Sequence, residues 1–449
     1  MKRLCVLFFA FVAAASAQPA KTLTLETAVD LALSKNLSVI QAQNSYEASQ
    51  SSATAAQGGL FPTLDASAGV SRNQSWRNTP GGTTVVNGIP ITYPAGNSFS
   101  ASNNFSAGIS SRLTIFNGFA NTSNVSRANA NETASKLTLS RTEQSTVYQT
   151  HQLYLNVVRN WQLLKVSEEN LKRSTRQLER ITESNKVGAV ALADVYRQQV
   201  QSGSDELALI QAQNNFEKAK ADLVAYLGVE FEGNYAVDVS GIPDAIDTTE
   251  FASLNATYAD YDALVKTGVE RRPDYLATAE NVNAADASVT IARAGHLPSV
   301  SASGSFGFSN EELSGLTDNR GLNLSLNVSL PIFNGFSTSN QVEQAQVSRR
   351  NADENLKQAR RQIAVDIRKA LLDLESSEKQ VMVTQTSVHS AEMDRKIAEE
   401  KYNLGAGTLL DLLIANANYT NALSNKVNAV IGYLLSKTQA EYALGTITK

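Results

Sequence analysis

The chain repeats one of its own segments. Leu113–Phe119 reads LTIFNGF and returns 217 positions later as LPIFNGF at Leu330–Phe336. The offset of 217 holds from this segment to the end of both copies. Before this segment the two copies are related by an offset of 236, which pairs Pro62 with Pro298. The difference places 19 additional residues between Pro62 and Leu113 in the first copy. A duplication of this length predicts two similar structural units in one chain and favours a pseudo-symmetric assembly.

The first 17 residues have the features of a signal peptide. Lys2 and Arg3 precede an apolar run, and residues 15–17 (ASA) form a small-residue cleavage site. Cys5, the single cysteine, is removed with this segment, so the mature chain has neither disulfides nor thiolate metal sites. No later run reaches 18 apolar residues. An exported chain of this kind is either soluble or crosses an outer membrane as a β-barrel.

Charge and histidine spacing argue against nucleic-acid binding and catalysis. Removing Lys2 and Arg3 takes the formal net charge from −4 to −6, which leaves no basic surplus for nucleic acid. The histidines, His151, His296 and His389, lie far apart, and none has a metal-ligand spacing such as HExxH. We therefore expect no enzymatic activity, no bound metal and no cofactor.

Two segments, 120–186 and 337–403, are predicted to be unusually long helices. The first lacks both proline and glycine and is rich in good helix formers. It carries apolar residues every seven positions, at Val157, Leu164, Leu171 and Leu178, which indicates a coiled-coil seam. Some 67 residues at 1.5 Å per residue extend on the order of 100 Å. The alternative is a surface helix of a large globular domain, although few globular helices reach this length.

Shorter helices are predicted on either side of each long one. They occupy 26–60 and 189–227 in the first copy, and 262–296 and 407–444 in the second. Their summed lengths match the long helices, so we expect each pair to stack end to end and antiparallel beside its long helix. Each chain then provides four helical columns.

The repeats therefore occupy 18–228 and 262–445. The inter-repeat segment 229–261, the tail 446–449 and residues 21–25 are expected to form a mixed belt where the stacked helices meet.

Strands are predicted between the first short helix and the long helix of each copy. Apolar and polar residues alternate over 105–115 and 322–332, and more weakly over 64–70 and 300–308. We predict hairpins at 63–116 and 299–333, with loops at 71–104 and 309–321. Such alternation is typical of outer-membrane barrels, and a soluble sandwich is the alternative. Four strands cannot close a barrel, whereas three chains supply 12 strands and four chains supply 16.

In order and spacing, the motifs resemble those of TolC-type outer-membrane efflux proteins over essentially the whole mature chain. The residues that carry the resemblance are the two IFNGF segments, Pro62, Pro298, RRPD at 271–274, YLG at 226–228 and ALGT at 443–446. The resemblance implies a mixed α and β membrane protein. It would be a homotrimer with a 12-stranded transmembrane β-barrel shared between chains and a 12-column helical coiled-coil barrel across the periplasm. Its implied partners are outer-membrane lipid, a periplasmic adaptor protein and an inner-membrane pump of the resistance-nodulation-division or ABC type.

The resemblance also implies candidate sites. Turns at 187–193 and 404–410 correspond to the periplasmic tips, where an adaptor docks through Val187, Gly188, Ala189, Leu404, Gly405, Ala406 and Gly407. The strand–helix turns contain Pro62, Asn117, Gly118, Pro298, Asn334 and Gly335. The periplasmic gate corresponds to Asp194, Tyr402 and Asp411. Gly407 replaces the arginine of the family's closed entrance, and Ile414 replaces a second acidic ring. Asp194 has an alternative partner in Arg197 on its own helix.

These observations predict a trimeric outer-membrane exit duct of a Gram-negative tripartite efflux system, which conducts substrates passively. One alternative is a channel dedicated to type I protein secretion. An alternative of another class is a periplasmic coiled-coil scaffold without a pore, which would need no alternation at 322–332.

Overall fold

The computed structural model describes residues 21–229, 235–239, 241–243, 245–247 and 249–448; the predicted signal peptide lies outside the described residues. In chain order the elements are β1 (Lys21–Leu23), α1 (Leu25–Lys35), α2 (Leu37–Gly58), β2 (Thr63–Thr79), β3 (Gly82–Val86), β4 (Ile89–Tyr93), β5 (Gly96–Asn117), α3 (Ala120–Lys186), α4 (Leu192–Tyr226), β6 (Tyr235–Val237), α5 (Thr249–Thr257), α6 (Tyr261–Arg271), α7 (Pro273–Arg293), β7 (Ser299–Asn310), β8 (Arg320–Ser329), α8 (Ser337–Asn403) and α9 (Leu409–Leu444).

The chain divides into two compact units. One contains residues up to 46, 135–277 and 357 onward, and the other contains 47–134 and 278–356. The four-stranded sheet described below belongs to the second unit. No described helix combines the length and the apolar character that a transmembrane helix requires.

The two long helices, α3 and α8, have the predicted bounds of 120–186 and 337–403. In α8 the buried residues recur at alternating intervals of four and three, at Ile363, Ile367, Ala370 and Leu374. This is the spacing of a coiled-coil seam, and it keeps one face of the helix against its neighbours. The prediction of long helices is therefore confirmed. Of the seam predicted in α3, Val157 is buried, whereas Leu164, Leu171 and Leu178 are half-buried.

The first helix of each repeat is interrupted, so the predicted continuous helices at 26–60 and 262–296 are wrong. The backbone is extended at Asn36 (ψ 131°) and at Arg272 (ψ 117°), which occupy equivalent positions in the two repeats. Pro273 follows Arg272 and disfavours a helical conformation for the residue before it. At the other break the Asn36 side chain accepts a hydrogen bond from the Ser38 N–H (2.9 Å), as in a helix cap.

Each break abuts the end of the last helix of its own repeat. Asn36 Nδ2 donates to the Tyr226 carbonyl at 2.8 Å. Gly228, which follows α4, has a left-handed backbone (φ +68°), and a Cβ built on it would lie 2.6 Å from the Lys35 carbonyl oxygen. Glycine is therefore required here both by its conformation and by the close approach of another backbone.

The second repeat has the same junction. Gly445 follows α9 with a φ of +70°, and a Cβ there would lie 3.0 Å from Arg272 Cγ. The Arg272 guanidinium is buried between Asp274 (2.7 Å) and Asp366 (2.9 Å). It also donates to the Ala443 carbonyl at 3.5 Å, the counterpart of the Asn36–Tyr226 bond.

The larger sheet has the order β2-β5-β7-β8, and every neighbouring pair is antiparallel. Over 64–70, 105–113, 300–308 and 322–328 its register places most apolar side chains on one face and most polar ones on the other. One face is largely apolar and contains Leu64, Ala66, Ala68, Val70, Phe105, Ala107, Ile109, Leu113, Val300, Ala302, Phe306, Phe308, Leu322, Leu324, Leu326 and Val328. The opposite face carries mainly serine, asparagine, threonine and glycine. The predicted two-residue period is confirmed over 64–70, 105–113, 300–308 and 322–328, and it is interrupted at Ile115, where a β-bulge shifts the register between Thr114 and Phe116.

Two predicted strand boundaries are wrong. β8 ends at Ser329 and not at 332 or 333, because Pro331 has no N–H to donate to a ladder, whereas β5 continues through the equivalent Thr114. Much of the predicted loop 71–104 is strand, since β2 pairs with β5 as far as Thr79 and Gly96. The polar residues on both faces there left no hydrophobic period to read.

The core of the first unit includes the predicted belt segments at 21–25 and 229–261, as far as they are described. β1 pairs in parallel with β6, and Leu23, 2% exposed, packs with Tyr154, Leu223 and Ile431. Phe251 of α5 lies edge-on to Tyr433 of α9, with ring centroids 5.1 Å apart. These contacts tie the inter-repeat segment to the helices.

Candidate functional site

The two helix–helix turns have the same geometry. α3 ends at Lys186 and α4 begins at Leu192, so the first turn is 187–191; the second, between α8 and α9, is 404–408. Both are two residues shorter than predicted. Gly188 has a φ of +77° and donates to the Asn185 carbonyl, while Ala189 donates to the Ser184 carbonyl, both at 2.9 Å. This pair of bonds is a Schellman motif, and Gly405 and Ala406 repeat it.

The turns expose an apolar side chain beside each glycine. Val187 is 80% and Leu404 is 83% exposed. A Cβ added at Gly188 or Gly405 would meet no atom within 4 Å. Glycine is therefore required at the tips by its backbone conformation alone, and the surface around it is open to a partner.

Asp194 and Asp411 occupy equivalent positions in the two repeats but make different contacts. Thr408 is the N-cap of α9, and its hydroxyl accepts a hydrogen bond from the Asp411 N–H at 3.2 Å. The Asp411 carboxylate accepts in return from the Thr408 N–H (3.2 Å) and hydroxyl (2.7 Å), which completes a capping box. In the first repeat Ala191 stands at the N-cap and makes no side-chain bond. Asp194 is thus left available for other partners.

The carboxylates of Asp411 and Asp194 therefore have different hydrogen-bond donors. The hydrogen bonds from Thr408 lower the pKa of Asp411 from its ordinary value of 3.8. Asp194 accepts from Arg197 Nη1 at 2.9 Å, the alternative pairing on its own helix. Since Arg197 is 64% exposed, this ion pair stabilises the fold only slightly.

Tyr402 lies near Asp194 without bonding to it. Its hydroxyl is buried and has no hydrogen-bond partner among the residues that the structure describes. Burial raises the pKa of Tyr402, the charge of Asp194 raises it further, and Arg180 opposes both effects. The structure thus brings two of the three predicted gate residues together, while Asp411 is held by its own helix.

Arg180 of α3 was not predicted from the sequence. Its Nη1 donates to Asn403 Oδ1 at 3.1 Å and lies 3.9 Å from Glu399 Oε1. Glu399 also pairs with Arg395 at 2.9 Å. The four-residue spacing of Arg395, Glu399 and Asn403 marks one face of α8, but the approach of α3 to that face is a tertiary contact without a sequence signal.

Gly407, at the position of the expected arginine, closes the second turn tightly. Its N–H donates to the Lys401 carbonyl at 3.1 Å. A Cβ there would lie 3.0 Å from Lys401 Cβ and 3.3 Å from the Tyr402 nitrogen. An arginine would therefore require the turn to shift, which makes substitution at 407 a poor probe of the gate.

The strand–helix turn after β5 is packed within the chain. Asn117 Oδ1 accepts from the Asn121 N–H at 3.1 Å and so caps α3. Gly118 has a φ of +65°, and a Cβ there would lie 2.8 Å from Leu297 Cβ and 2.9 Å from the Ala294 carbonyl oxygen. Pro62 and Pro298 stand immediately before β2 and β7.

The turn before α8 has the same backbone but a different environment. Asn334 bonds to Thr338, and Gly335 has a φ of +62°, yet a Cβ there would meet nothing within 4 Å. Phe119 and Phe336, which follow the two glycines, are also left-handed, an uncommon conformation for a bulky residue. Each lies edge-on to the preceding phenylalanine of its motif, Phe116 or Phe333, at 5.2 and 5.5 Å.

Within the described chain, no group of three or more histidine, cysteine, aspartate or glutamate residues lies close enough to hold a metal ion.

The profile of the family described as outer membrane efflux protein matches residues 28–229 and 264–447. The chain belongs to this family. Each matched segment covers one of the two repeats, so the duplication is a property of the efflux-protein fold. The TolC outer membrane proteins of Escherichia coli and Salmonella enteritidis are 26% and 27% identical to it over 319 and 322 residues. These alignments cover 68% of this chain and 62% of each relative, so the chain spans about three fifths of the length of these curated relatives.

Solved structures of outer membrane channels share the fold of this efflux protein. The CmeC channel of Campylobacter jejuni superposes with a TM-score of 0.77 and 23% identity, over 94% of this chain and 85% of that one. The open state of the MtrE channel of Neisseria gonorrhoeae superposes with a TM-score of 0.74 and 19% identity, over 94% and 91%.

Proposed function

We propose that this efflux protein is the trimeric outer-membrane exit duct of a tripartite system. It passes substrates passively from an inner-membrane pump of the resistance-nodulation-division or ABC type, through a periplasmic adaptor, to the cell exterior. The observation that carries the proposal is the four-stranded sheet, which has one largely apolar face, one polar face and two unpaired edges. An apolar face of exposed leucines suits lipid, and unpaired strand edges in lipid require closure by further copies.

The internal duplication supports one particular pairing of the edges. Within the chain, β5 of the first repeat pairs with β7 of the second, with Ile109 opposite Phe306. Applying the two offsets, β8 should pair with β2 of a neighbouring copy. Leu326 then lies opposite Val70 of that copy, and both belong to the apolar face.

The strand–helix turns support the same pairing. Gly118 is buried against Leu297, whereas a Cβ added at the equivalent Gly335 would meet no atom of the described residues within 4 Å. By the offsets its neighbour should be Phe61 of another copy, which is 68% exposed here. The second turn therefore lacks the packing that an adjacent copy would supply.

The helices near the tips offer a matching pair of apolar stripes. One face of α4 exposes Leu192, Tyr196, Val200, Leu207 and Ile210. The last part of α8 exposes Val383 and Ile397, and the turn after it exposes Leu404; the three are spaced by multiples of seven. α4 starts and α8 ends at the tips, so the stripes of two copies can pack antiparallel as a coiled coil. Three copies give 12 strands and 12 helical columns, the assembly that the family resemblance implies.

A double-cysteine experiment tests the assembly. Val70→Cys combined with Leu326→Cys should form interchain disulfides, because opposed residues on antiparallel strands have Cα atoms about 4.5–5.5 Å apart. A gel without reductant should show dimers and closed trimers but no larger species. Val70→Cys with Asn327→Cys is the control, since Asn327 lies on the polar face and should not cross-link. Cross-linked species of four chains would mean that the assembly is a tetramer and not a trimer. Absence of any cross-link in a conducting protein would overturn the proposed pairing of β8 with β2.

Conduction is tested separately. The mature protein should need detergent for solubility and should form pores in planar bilayers. A water-soluble monomer without conductance would refute the proposed function.

We expect Gly188→Val with Gly405→Val to abolish export. A β-branched residue is strained at a positive φ, and the surroundings are open, so the damage should stay within the turns that we propose as the adaptor contact. Export assays in cells, with trimer yield and membrane insertion as parallel measurements, check this. Gly432→Val, the same change at an uncrowded helical position of α9, should leave export intact. Normal export by the double tip variant would remove these glycines from docking.

Asp411→Asn should reduce cation selectivity and weaken block by multivalent cations from the periplasmic side, because three Asp411 carboxylates would face the entrance. Stability should change little, since asparagine can also accept from Thr408. Because the pKa of Asp411 is lowered, the carboxylate stays charged as pH falls. The cation selectivity of the channel should therefore persist down to pH 3.8, the ordinary pKa of an aspartate, and be lost below that pH. Reversal potentials across a pH series check this. Loss well above that pH would mean that repulsion within the ring outweighs the Thr408 bonds.

A further inference from the structure

The polar face of the β2-β5-β7-β8 sheet is almost free of charge. In β7 its side chains are Ser299, Ser301, Ser303, Ser305 and Ser309, with Gly307 between them. In β8 they are Gly321, Asn323, Ser325, Asn327 and Ser329. Within the described strands of this sheet, charge enters this face only at Asp65 and Arg77 of β2 and at Arg112 of β5.

Asp65 and Arg112 lie together near the end of the sheet where α3 begins. Asp65 is opposite Ser110 and Arg112 is opposite Thr63, so the two charged residues are diagonal neighbours on one face. They border a depression of about 330 Å³, whose lining also includes Ser303 and Asn323. Arg77 lies 12 positions from Asp65 along β2, on the order of 40 Å away.

The charges of Asp65 and Arg112 do not stabilise the fold through ion pairs. Both side chains are exposed, and neither takes part in an ion pair of the described chain. Diagonal neighbours on a sheet lie close enough for a long side chain such as arginine to reach across. Asp65 and Arg112 nevertheless form no ion pair with each other. A structural role on a face of serines would be served as well by another serine.

We propose that Asp65 and Arg112 set the charge selectivity of the sheet-lined part of the pathway. This inference rests on the proposed function, in which the polar face lines the conduit. Each chain contributes one carboxylate and one guanidinium at nearly the same height, so the copies form a ring of alternating charge in a stretch of the lumen whose neighbouring side chains are uncharged. Rings of charged side chains select small ions, and a balanced ring lets either sign pass.

Single neutralisations should therefore shift selectivity in opposite directions. Arg112→Ser should raise the K⁺/Cl⁻ permeability ratio and Asp65→Ser should lower it. Each shift should be at least about twofold, because one unit charge some 8 Å from an ion in water has about that effect and every chain loses one such charge. The double variant should return to the parent ratio. Serine already occupies most neighbouring positions on this face, so the variants should fold.

Reversal potentials in planar bilayers under a KCl gradient measure these shifts. The shifts should be present at about 0.1 M salt, where the Debye length is about 10 Å. They should vanish at about 1 M salt, where the Debye length is about 3 Å and the charges are screened. Arg72→Ser is the matched control. Arg72 lies on β2, as Asp65 does, but on the opposite face of the sheet, across from Asn103. Shifts of the same sign for both single variants, or an equal shift from Arg72→Ser, would overturn the inference. Unchanged ratios in a conducting protein would also overturn it, whereas absence of conductance in the parent would refute the proposed function itself.

Discussion

In the proposed barrel, Leu326→Arg should destabilise the assembled protein by roughly 2–4 kcal/mol per chain, because the proposal places this face against lipid, where an arginine near the bilayer midplane costs about that much. Leu326 is 67% exposed in the single chain, opposite Ala302 and in the same row as Leu113. Its neighbours on that face are apolar, so no residue there could pair with the new charge. Heat-resistance of the trimer on gels and unfolding in lipid measure the loss.

Asn327→Arg is the matched comparison, one position along the same strand. Asn327 lies opposite Ser301 on the polar face, where an arginine would remain hydrated. The proposed trimer should keep its stability, and only conductance and ion preference should change. Equal destabilisation by the two variants would mean that the two faces of the sheet do not separate lipid from water.

Gly228→Ala should cost about 2–5 kcal/mol. A left-handed backbone costs alanine about 1–2 kcal/mol, and overpacking against the Lys35 carbonyl adds about 1–3 kcal/mol. The contacting atom belongs to the backbone at the break between α1 and α2, so it cannot turn aside as a side chain could. Thermal unfolding followed by the helical circular dichroism signal measures the change.

Gly188→Ala separates the two contributions. Its φ of +77° imposes a similar conformational cost, but no atom lies within 4 Å of the added Cβ, so only about 1–2 kcal/mol should be lost. Gly432→Ala, in a helix interior without neighbours, should stabilise by about 0.5–1 kcal/mol. Equal losses at 228 and 188 would show that the Lys35 carbonyl can move away.

The elements that were predicted correctly are those whose signal is local. α3 and α8 follow from composition and from a seven-residue period, which depend on the helix's own geometry. The sheet faces follow from alternation, because successive side chains of a strand point to opposite sides. The polar outer part of β2 and β5 was missed, since its strands are recognised only by their pairing with each other.

The candidate site shows the same division. The capping box of Thr408 and Asp411 is readable as a T-x-x-D pattern, and Ala191 shows that the first copy lacks it. The approach of Tyr402 to Asp194, and of Arg180 to Asn403, joins helices that are far apart in the sequence. No spacing rule predicts those contacts.

The amino-acid sequence by itself determined the duplication, because a repeat is found by comparing the chain with itself. It also determined the long helices, the two faces of the sheet and the glycine-containing turns, because each of these depends on residues within a few positions of one another. Only the tertiary structure decided that the first helix of each repeat breaks where the last helix ends. It also decided that Asp194 and Asp411 differ in their partners, and that Gly118 is packed while Gly335 is open. These outcomes depend on which surfaces meet when the two repeats fold together, and two copies of nearly the same motif meet different neighbours at the edges of one chain.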